Sequence, residues 1–347
     1  MATKKKKKAK SAPKARPRQA RGRGRRVILL LVTAVAIIGG GAGLYVANRP
    51  VPEVPVPVSV VQAAGVHGPG AGGLDSPRGL AVAPDGDVYV ADLSNARVAV
   101  FGPDGAFKFN FGKLGPEPGK GKPGEFNEPS GVAVAPDGSV YVADAWNGRV
   151  QKFDAQGHSL GEYGGARYSF YSPRNVAVDR AGNLYVADTG NSAVKVLDPT
   201  GTLLKVLGGP GSGKGQCNEV FGVAVDSRGD IFVADHGNKR IHKFGPLPAG
   251  EFIKDRKVPG WQLADPFWPH LAVDARDNVY AVDSGNRKIW IFDNDLKYRG
   301  TIGGDQPGNP FAAPLGLAFD SAGSLWVSDM ANNKLLKLGP FTVPAVK

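Results

Sequence analysis

The chain has 347 residues and 42 % of them are hydrophobic, which is enough for a packed core and excludes a disordered protein. Its net charge is +12, but 13 of the 43 lysines and arginines lie in residues 1–26, so the other 30 nearly balance the 31 acidic residues and give no sign of a nucleic-acid surface. The single cysteine, Cys217, excludes an internal disulfide.

Residues 1–26 form a basic tail without an acidic residue. We interpret this tail as the cytoplasmic flank of a membrane segment, attracted to anionic lipid, because lysine and arginine favour the cytoplasmic side. Binding of RNA or DNA phosphates by the Lys runs and Arg-Gly repeats is the alternative. No aromatic residue is interleaved in the tail for base stacking, which favours the lipid interpretation.

The next segment, residues 27–47, contains no charged side chain. A helix of this length spans the apolar core of a bilayer, since each residue adds about 1.5 Å. The sequence therefore predicts a single transmembrane signal-anchor helix, with the N-terminus in the cytoplasm and the remainder outside it, in the cell membrane. A secretory signal cleaved after Ala42 is the alternative. Residues 48–55 follow as a Pro-rich, polyproline-like spacer.

One phrase then recurs six times, and its first copy begins at Pro77 with PRGLAVAPDGDVYVAD. Each copy holds an apolar run, a turn of Gly, Asn or Asp, a second apolar run that ends in Asp, and an Asn-bearing turn. The closing aspartates recur roughly every 47 residues. They are Asp92, Asp144, Asp188, Asp235, Asp283 and Asp329. Period-two alternation predicts strands, and two further runs complete a four-stranded antiparallel unit.

Six such units predict an all-β fold, a six-bladed β-propeller over residues 56–340 with a tail at residues 341–347. The sixth copy ends after its third strand, near Gly339. The segment Val56–Val61 resembles the fourth strands of the other copies. We therefore expect it to complete the last blade and to remove an open sheet edge.

The pattern Pro-x-Gly-Val-Ala-Val, Gly-x-Val-Tyr-Val-Ala-Asp and Asn-x-Arg-Val-x-x-Phe resembles the NHL repeat. The resemblance implies a six-bladed NHL propeller, and NHL propellers serve as interaction or sensor domains. Some NHL-like propellers are zinc-dependent lyases that cleave peptidyl-hydroxyglycine, lactonase-type propellers hold calcium, and some NHL propellers bind RNA. Each of these activities is an expectation that the resemblance brings.

The residues that repeat in every copy are interpreted as structural. Six equivalent aspartates are typical of turn and blade contacts rather than of six catalytic acids. The basic residues of the Asn turn are expected to pair with acids locally, with Ala193 as the exception; they are Arg97, Arg149, Arg240, Lys288 and Lys334. Cys217, in a Gly-rich linker, is interpreted as a small core filler.

Function is expected where the copies differ, on the face formed by the linker into the first strand and the turn after the second. The candidate ligand-binding residues are Arg78, Trp146, Arg174, Phe221, His236, Trp268 and His270. Arginine and aromatic anchors are typical of binding faces. His236 and His270 suggest a metal or a general base, but His270 aligns with a glycine position and three ligands are not available. No catalytic residue, metal or cofactor is therefore predicted.

These observations predict a membrane-anchored, extracytoplasmic propeller that acts as a non-catalytic binding, scaffold or sensor module for a protein, peptide or cell-envelope ligand. The alternative is a propeller enzyme, either a metal-dependent lyase or a lactonase-like hydrolase. A further alternative is an RNA-binding NHL protein, which the predicted topology and the near-neutral charge of the repeats oppose.

Overall fold

A computed structural model describes residues 53–262 and 268–344. The predicted basic tail, the predicted membrane helix at residues 27–47 and the start of the spacer lie outside these residues. Within the described ranges, no helix is both long and apolar enough to cross a membrane. The membrane anchor therefore stays a prediction.

The described chain is a six-bladed propeller of four-stranded antiparallel sheets, as predicted. Blade 1 comprises Pro77–Val82, Val88–Asp92, Arg97–Phe101 and Phe107–Phe111. Blade 2 comprises Pro129–Val134, Val140–Asp144, Arg149–Phe153 and Ser159–Tyr163. Blade 3 comprises Pro173–Val178, Leu184–Asp188, Ala193–Leu197 and Leu203–Gly208.

Blade 4 comprises Val220–Val225, Ile231–Asp235, Arg240–Phe244 and Phe252–Lys257. Blade 5 comprises Leu271–Val273, Val279–Asp283, Lys288–Phe292 and Tyr298–Gly303. Blade 6 comprises Pro314–Phe319, Leu325–Asp329, Lys334–Leu338 and the N-terminal strand Val60–Ala64. Two short parallel pairs join Val66–His67 to Gly73–Leu74 and Lys113–Leu114 to Glu125–Phe126. The helices are one α-helical turn, Gly165–Tyr168, and 3-10 turns at Ala145–Asn147, Thr189–Asn191 and Ser284–Asn286.

The first strands line a central channel, and contacts between those of blades 6 and 1 close the ring. We call the side with the linkers into the first strands and the turns after the second strands the upper face; the turns between first and second strands lie on the lower face. Apolar side chains fill the space between each pair of neighbouring blades, as Trp326 and Leu80 do between blades 6 and 1. The core is thus a ring of interfaces, which holds the channel residues in fixed register.

The structure confirms that an N-terminal strand completes blade 6, but the residues that form this strand differ from those predicted. Val60–Ala64, rather than Val56–Val61, pairs antiparallel with the third strand of blade 6. The preceding residues lie instead along the outer strand of blade 5, where Val56 N–H donates to the Thr301 carbonyl at 2.8 Å and Thr301 N–H donates to Val54 at 2.9 Å. Val56 is buried in the core between blades 5 and 6. The end of the predicted spacer is therefore part of the propeller.

The aspartate that ends each second strand is fully buried in every blade, which agrees with its structural interpretation. In blades 1, 2 and 4 the Nε of the predicted arginine donates to it at 2.8 Å. Blade 3 carries Ala193 at that position, and Lys195, two residues later, supplies the cation 2.7 Å from Asp188. Lys288 of blade 5 pairs instead with Glu53. A buried carboxylate needs such partners because desolvation of an unpaired charge is costly.

Candidate functional site on the upper face

The first strands approach each other closely at one level of the channel, formed by the third residue of the first strand in blades 1, 2, 3, 4 and 6 and by the residue just before Leu271 in blade 5. Four blades place glycine there: Gly79, Gly131, Gly222 and Gly316. A Cβ on Gly79 would lie 2.7 Å from the Ser130 carbonyl oxygen and 2.9 Å from Cε1 of His270, so only glycine fits. The two larger residues at this level are Asn175 of blade 3 and His270 of blade 5. His270 therefore occupies the glycine position, as the sequence predicted.

Asn175 and His270 meet inside the channel, where both side chains are buried. The Asn175 amide nitrogen lies 3.2 Å from Nδ1 of His270, and its Oδ1 accepts a hydrogen bond from the Val223 N–H. Because Oδ1 is an acceptor, the amide NH₂ donates to Nδ1, which places the imidazole proton on Nε2. Burial, reinforced by the Arg78 charge, lowers the pKa of His270 to about 3. This histidine is thus neutral at physiological pH and is not suited to exchange protons there.

Above this level, four of the predicted residues form one cluster around Trp268. The guanidinium carbons of Arg78 and Arg174 lie 4.2 and 4.0 Å from its ring centroid. The Phe221 ring stacks on the indole with centroids 5.5 Å apart. Arg174 also pairs with Glu128 at 2.7 Å. The cluster fills the upper mouth of the channel, since Trp268 is only 8 % exposed. It stabilises the mouth through cation–π contacts and stacking.

His236 lies at the border of this cluster and is partly accessible to solvent. Its ring stands edge-on to Phe221, with centroids 4.7 Å apart, and its Nδ1 lies 3.2 Å from a Glu219 carboxylate oxygen. The side chain of His236 is 20 % exposed. A carboxylate on one ring nitrogen orients an imidazole for proton transfer through the other.

Trp146 does not join the cluster, although it lies on the same face. It is 57 % exposed in the 3-10 turn of blade 2, and Tyr171, at the entry of blade 3, is 68 % exposed. The two aromatic residues line a groove of about 310 Å³ together with Pro118 and Phe170. The upper face thus has two parts, a closed central cluster and an open aromatic groove.

Sequence reasoning missed Tyr171. Alignment of the linkers offers a signal, because Asp75, Asn127 and Asn218 occupy its position in three other blades. In those blades and in blade 3 the residue's N–H donates to the buried aspartate, so the backbone role is shared and only the side chain varies. Blade 6 has Ala312 at this position, so among these five blades only blade 3 places a large aromatic side chain there, which marks a surface specialised in this blade.

Within residues 53–262 and 268–344, one set of donor side chains has the spacing of a metal site, namely Cys217, Asp235 and His242. It does not suit a cation. The Asp235 carboxylate already accepts hydrogen bonds from Arg240, His242, Asn238 and the Asn218 N–H. Burial also raises the pKa of the Cys217 thiol to about 12. The channel residues in the described ranges offer no such set for the zinc or calcium that the family resemblance implies.

The NHL repeat model matches residues 74–101, 126–153, 170–197 and 222–244, so the chain carries NHL repeats in a six-bladed propeller. Among curated proteins, a 102-residue stretch is 35 % identical to a probable peptidyl-alpha-hydroxyglycine alpha-amidating lyase of Caenorhabditis elegans. That stretch covers 28 % of this chain and 28 % of the lyase, so the chain spans little more than a quarter of that relative.

Solved structures share the fold at low sequence identity. A streptogramin B lyase is 16 % identical with a TM-score of 0.55, over 81 % of this chain and 97 % of that one. A gluconolactonase of Xanthomonas campestris is 18 % identical with a TM-score of 0.57, over 78 % and 87 %. A PQQ-bound aldose sugar dehydrogenase of Streptomyces coelicolor is 18 % identical with a TM-score of 0.54, over 82 % and 98 %. At these identities the likeness shows the fold alone.

Proposed function

We propose that this NHL-repeat propeller is a membrane-anchored, extracytoplasmic binding module that recognises a protein or peptide of the cell envelope. The observation that carries the proposal is the open groove between Trp146 and Tyr171. Large aromatic residues that stay exposed next to a rigid scaffold are typical of binding hot spots, because they bury much apolar area at little entropic cost.

The central cluster around Trp268 holds one side of this groove in place. Arg174 follows Tyr171 by three residues and pairs with Glu128, so the strand that begins just after the groove's linker is fixed at the channel mouth. A pre-organised surface loses little conformational entropy on binding. The membrane location rests on residues 27–47 and the basic tail that precedes them.

The test replaces Trp146 or Tyr171 with alanine and measures capture of envelope proteins by the purified chain. Loss of an aromatic anchor that the partner buries in the complex weakens the free energy of binding by about 2 kcal/mol or more, so we expect capture to fall at least tenfold. Leu160→Ala is the matched control, since Leu160 is 56 % exposed on the outer strand of blade 2. Equal capture by all three variants and the wild-type chain would rule out this groove as the binding surface.

A second candidate is an enzyme that acts by proton transfer, as a lyase or a lactonase-like hydrolase. The sequence match to the lyase favours it, and so does the His236–Glu219 pair beside the channel mouth. In this candidate Glu219 orients the imidazole and His236 carries the proton; no step depends on a metal.

The enzyme candidate is tested with a peptidyl-hydroxyglycine and a sugar lactone as substrates for the purified chain, with and without a chelator. We expect His236→Gln to lower turnover of an accepted substrate by about 10²-fold or more, the usual effect of losing a general base. His158→Gln, on the exposed blade 2 turn, is the control. If no substrate of either class is consumed, the binding module is retained and this candidate is dropped.

A further inference from the structure

The lower end of the channel opens into a cavity that belongs to none of the sites described above. Its volume is about 360 Å³, and it is lined by blades 6, 1, 2 and 3. Its wall is formed by the ends of first strands, with Val82, Val134, Val178 and Phe319 all partly exposed. Neither Asn175 nor His270, which meet inside the channel, lines this cavity. The cavity is therefore an apolar recess that opens on the lower face.

Apolar side chains form most of the lining of this recess, and solvent reaches it. Prolines 84 and 136 stiffen two sides of its rim. Its volume of about 360 Å³ is near the lower end of the range for small-molecule sites, which are mostly apolar with a few polar groups that fix orientation. The shape thus fits a short hydrocarbon body rather than a folded macromolecule.

The rim carries one cation, Arg180. At the equivalent turn position the other blades have no charged residue; they have Pro84, Pro136, Ser227, Ala275 and Ser321. No hydrogen bond or ion pair involves the Arg180 guanidinium in the described ranges, and the side chain is exposed. The other charged lining residue is Asp179, whose carboxylate accepts hydrogen bonds from the side chains of Asn183 and Tyr185. The recess therefore combines apolar walls with one available positive charge.

We propose that this recess binds a small amphiphile, a short hydrocarbon chain that ends in a carboxylate. The hydrocarbon lies against Val82, Val134, Val178 and Phe319, and the carboxylate accepts hydrogen bonds from Arg180. Guanidinium and carboxylate match in charge and in planar geometry, which makes Arg180 an orienting group for this ligand class. This site lies on the face opposite the proposed partner groove and stands independently of it.

The experiment titrates octanoate and octanol into the fragment 48–347 by calorimetry. This fragment is a compact unit that holds all six blades and the closing strand. We expect saturable binding of one octanoate and about tenfold weaker binding of octanol, which has the same hydrocarbon chain but no charge. Arg180→Ala should reduce octanoate to the affinity of octanol and leave octanol unchanged, whereas Arg180→Lys should retain part of the difference.

Arg228→Ala is the matched control, because Arg228 is an exposed arginine of a lower-face turn in blade 4, outside the recess. Its affinity for octanoate should equal that of the wild type. Val134→Gln should weaken both ligands, and thermal melting verifies that it folds. Equal affinity for octanoate and octanol, or equal losses in Arg180→Ala and Arg228→Ala, would overturn the proposal.

Discussion

At the scale of single residues, the copies of the repeat reveal how one buried charge is satisfied in different ways. Seven residues after the buried aspartate, blades 2, 4 and 5 place Gln151, His242 and Trp290, and each donates to the carboxylate. Blade 3 places Lys195 there and so compensates for Ala193. Variation at this position therefore reflects hydrogen bonding, and His242 needs no catalytic explanation.

His270 gives a prediction for the dependence of stability on pH. Its pKa of about 3 in the folded chain is below the usual value of 6.5, so the unfolded chain binds more protons between these values. Stability from this group is present above pH 6.5 and is lost as the pH falls, with a slope of up to about 1.4 kcal/mol per pH unit. We expect His270→Gln to have a flatter profile in urea unfolding between pH 6.5 and 4.

The control for that prediction is His67→Gln, because His67 is exposed at the end of the short strand Val66–His67. Its profile should follow that of the wild-type chain. Parallel profiles for wild type and His270→Gln would mean that the ring is protonated in the folded chain, contrary to its burial.

At the scale of elements, the N-terminal segment contributes to two blades and therefore has a large effect on stability. Val56 is 1 % exposed between blades 5 and 6, whereas Val54, two residues earlier on the same segment, is 40 % exposed. We expect Val56→Asp to lower the free energy of unfolding by about 3 kcal/mol or more, since it buries an unpaired carboxylate. Val54→Asp should lower it by less than about 1 kcal/mol. Urea denaturation distinguishes the two, and similar losses would contradict the packing described.

Most of the strands could be predicted from the sequence, but two of them could not be placed correctly. Strands, blade count and the structural aspartates follow from period-two alternation and repetition. The limits of the closing strand did not follow, because Val56 and Val58 alternate like the strand itself. In the structure Val56 instead bonds to blade 5, and Val58 packs against the core between blades 5 and 6. The fourth strand of blade 4, Phe252–Lys257, carries four charged residues and offers no apolar alternation to find.

The candidate site was predictable only in part for the same reason. Arg78, Arg174, Phe221 and Trp268 do lie together, since register in a propeller brings equivalent positions to one ring. Whether that ring is open or closed depends on side-chain packing, which no repeat pattern encodes. The sequence therefore indicated the closed cluster and overlooked Tyr171 and the lower recess.

At the scale of the whole molecule, the charge distribution leads to a prediction of topology. The basic residues that exceed the acidic ones all lie before the apolar segment. We expect alkaline phosphatase fused after residue 347 to be active outside the cytoplasm, since that reporter requires export. Replacing the thirteen basic residues of the tail with glutamine should lower the exported fraction. Activity of a cytoplasmic reporter instead would revive the RNA-binding alternative.

The pairing of Val60–Ala64 with Lys334–Leu338 has a consequence for how the chain folds. The strand Val60–Ala64 is synthesised about 270 residues before the strand that it pairs with, so the ring cannot close until Lys334–Leu338 has been synthesised. Contacts of such long sequence separation make folding slow, and the unpaired edge of blade 6 is exposed to aggregation meanwhile. A ribosome that stalls before blade 6 therefore leaves an open ring in which Val60–Ala64 has no partner strand.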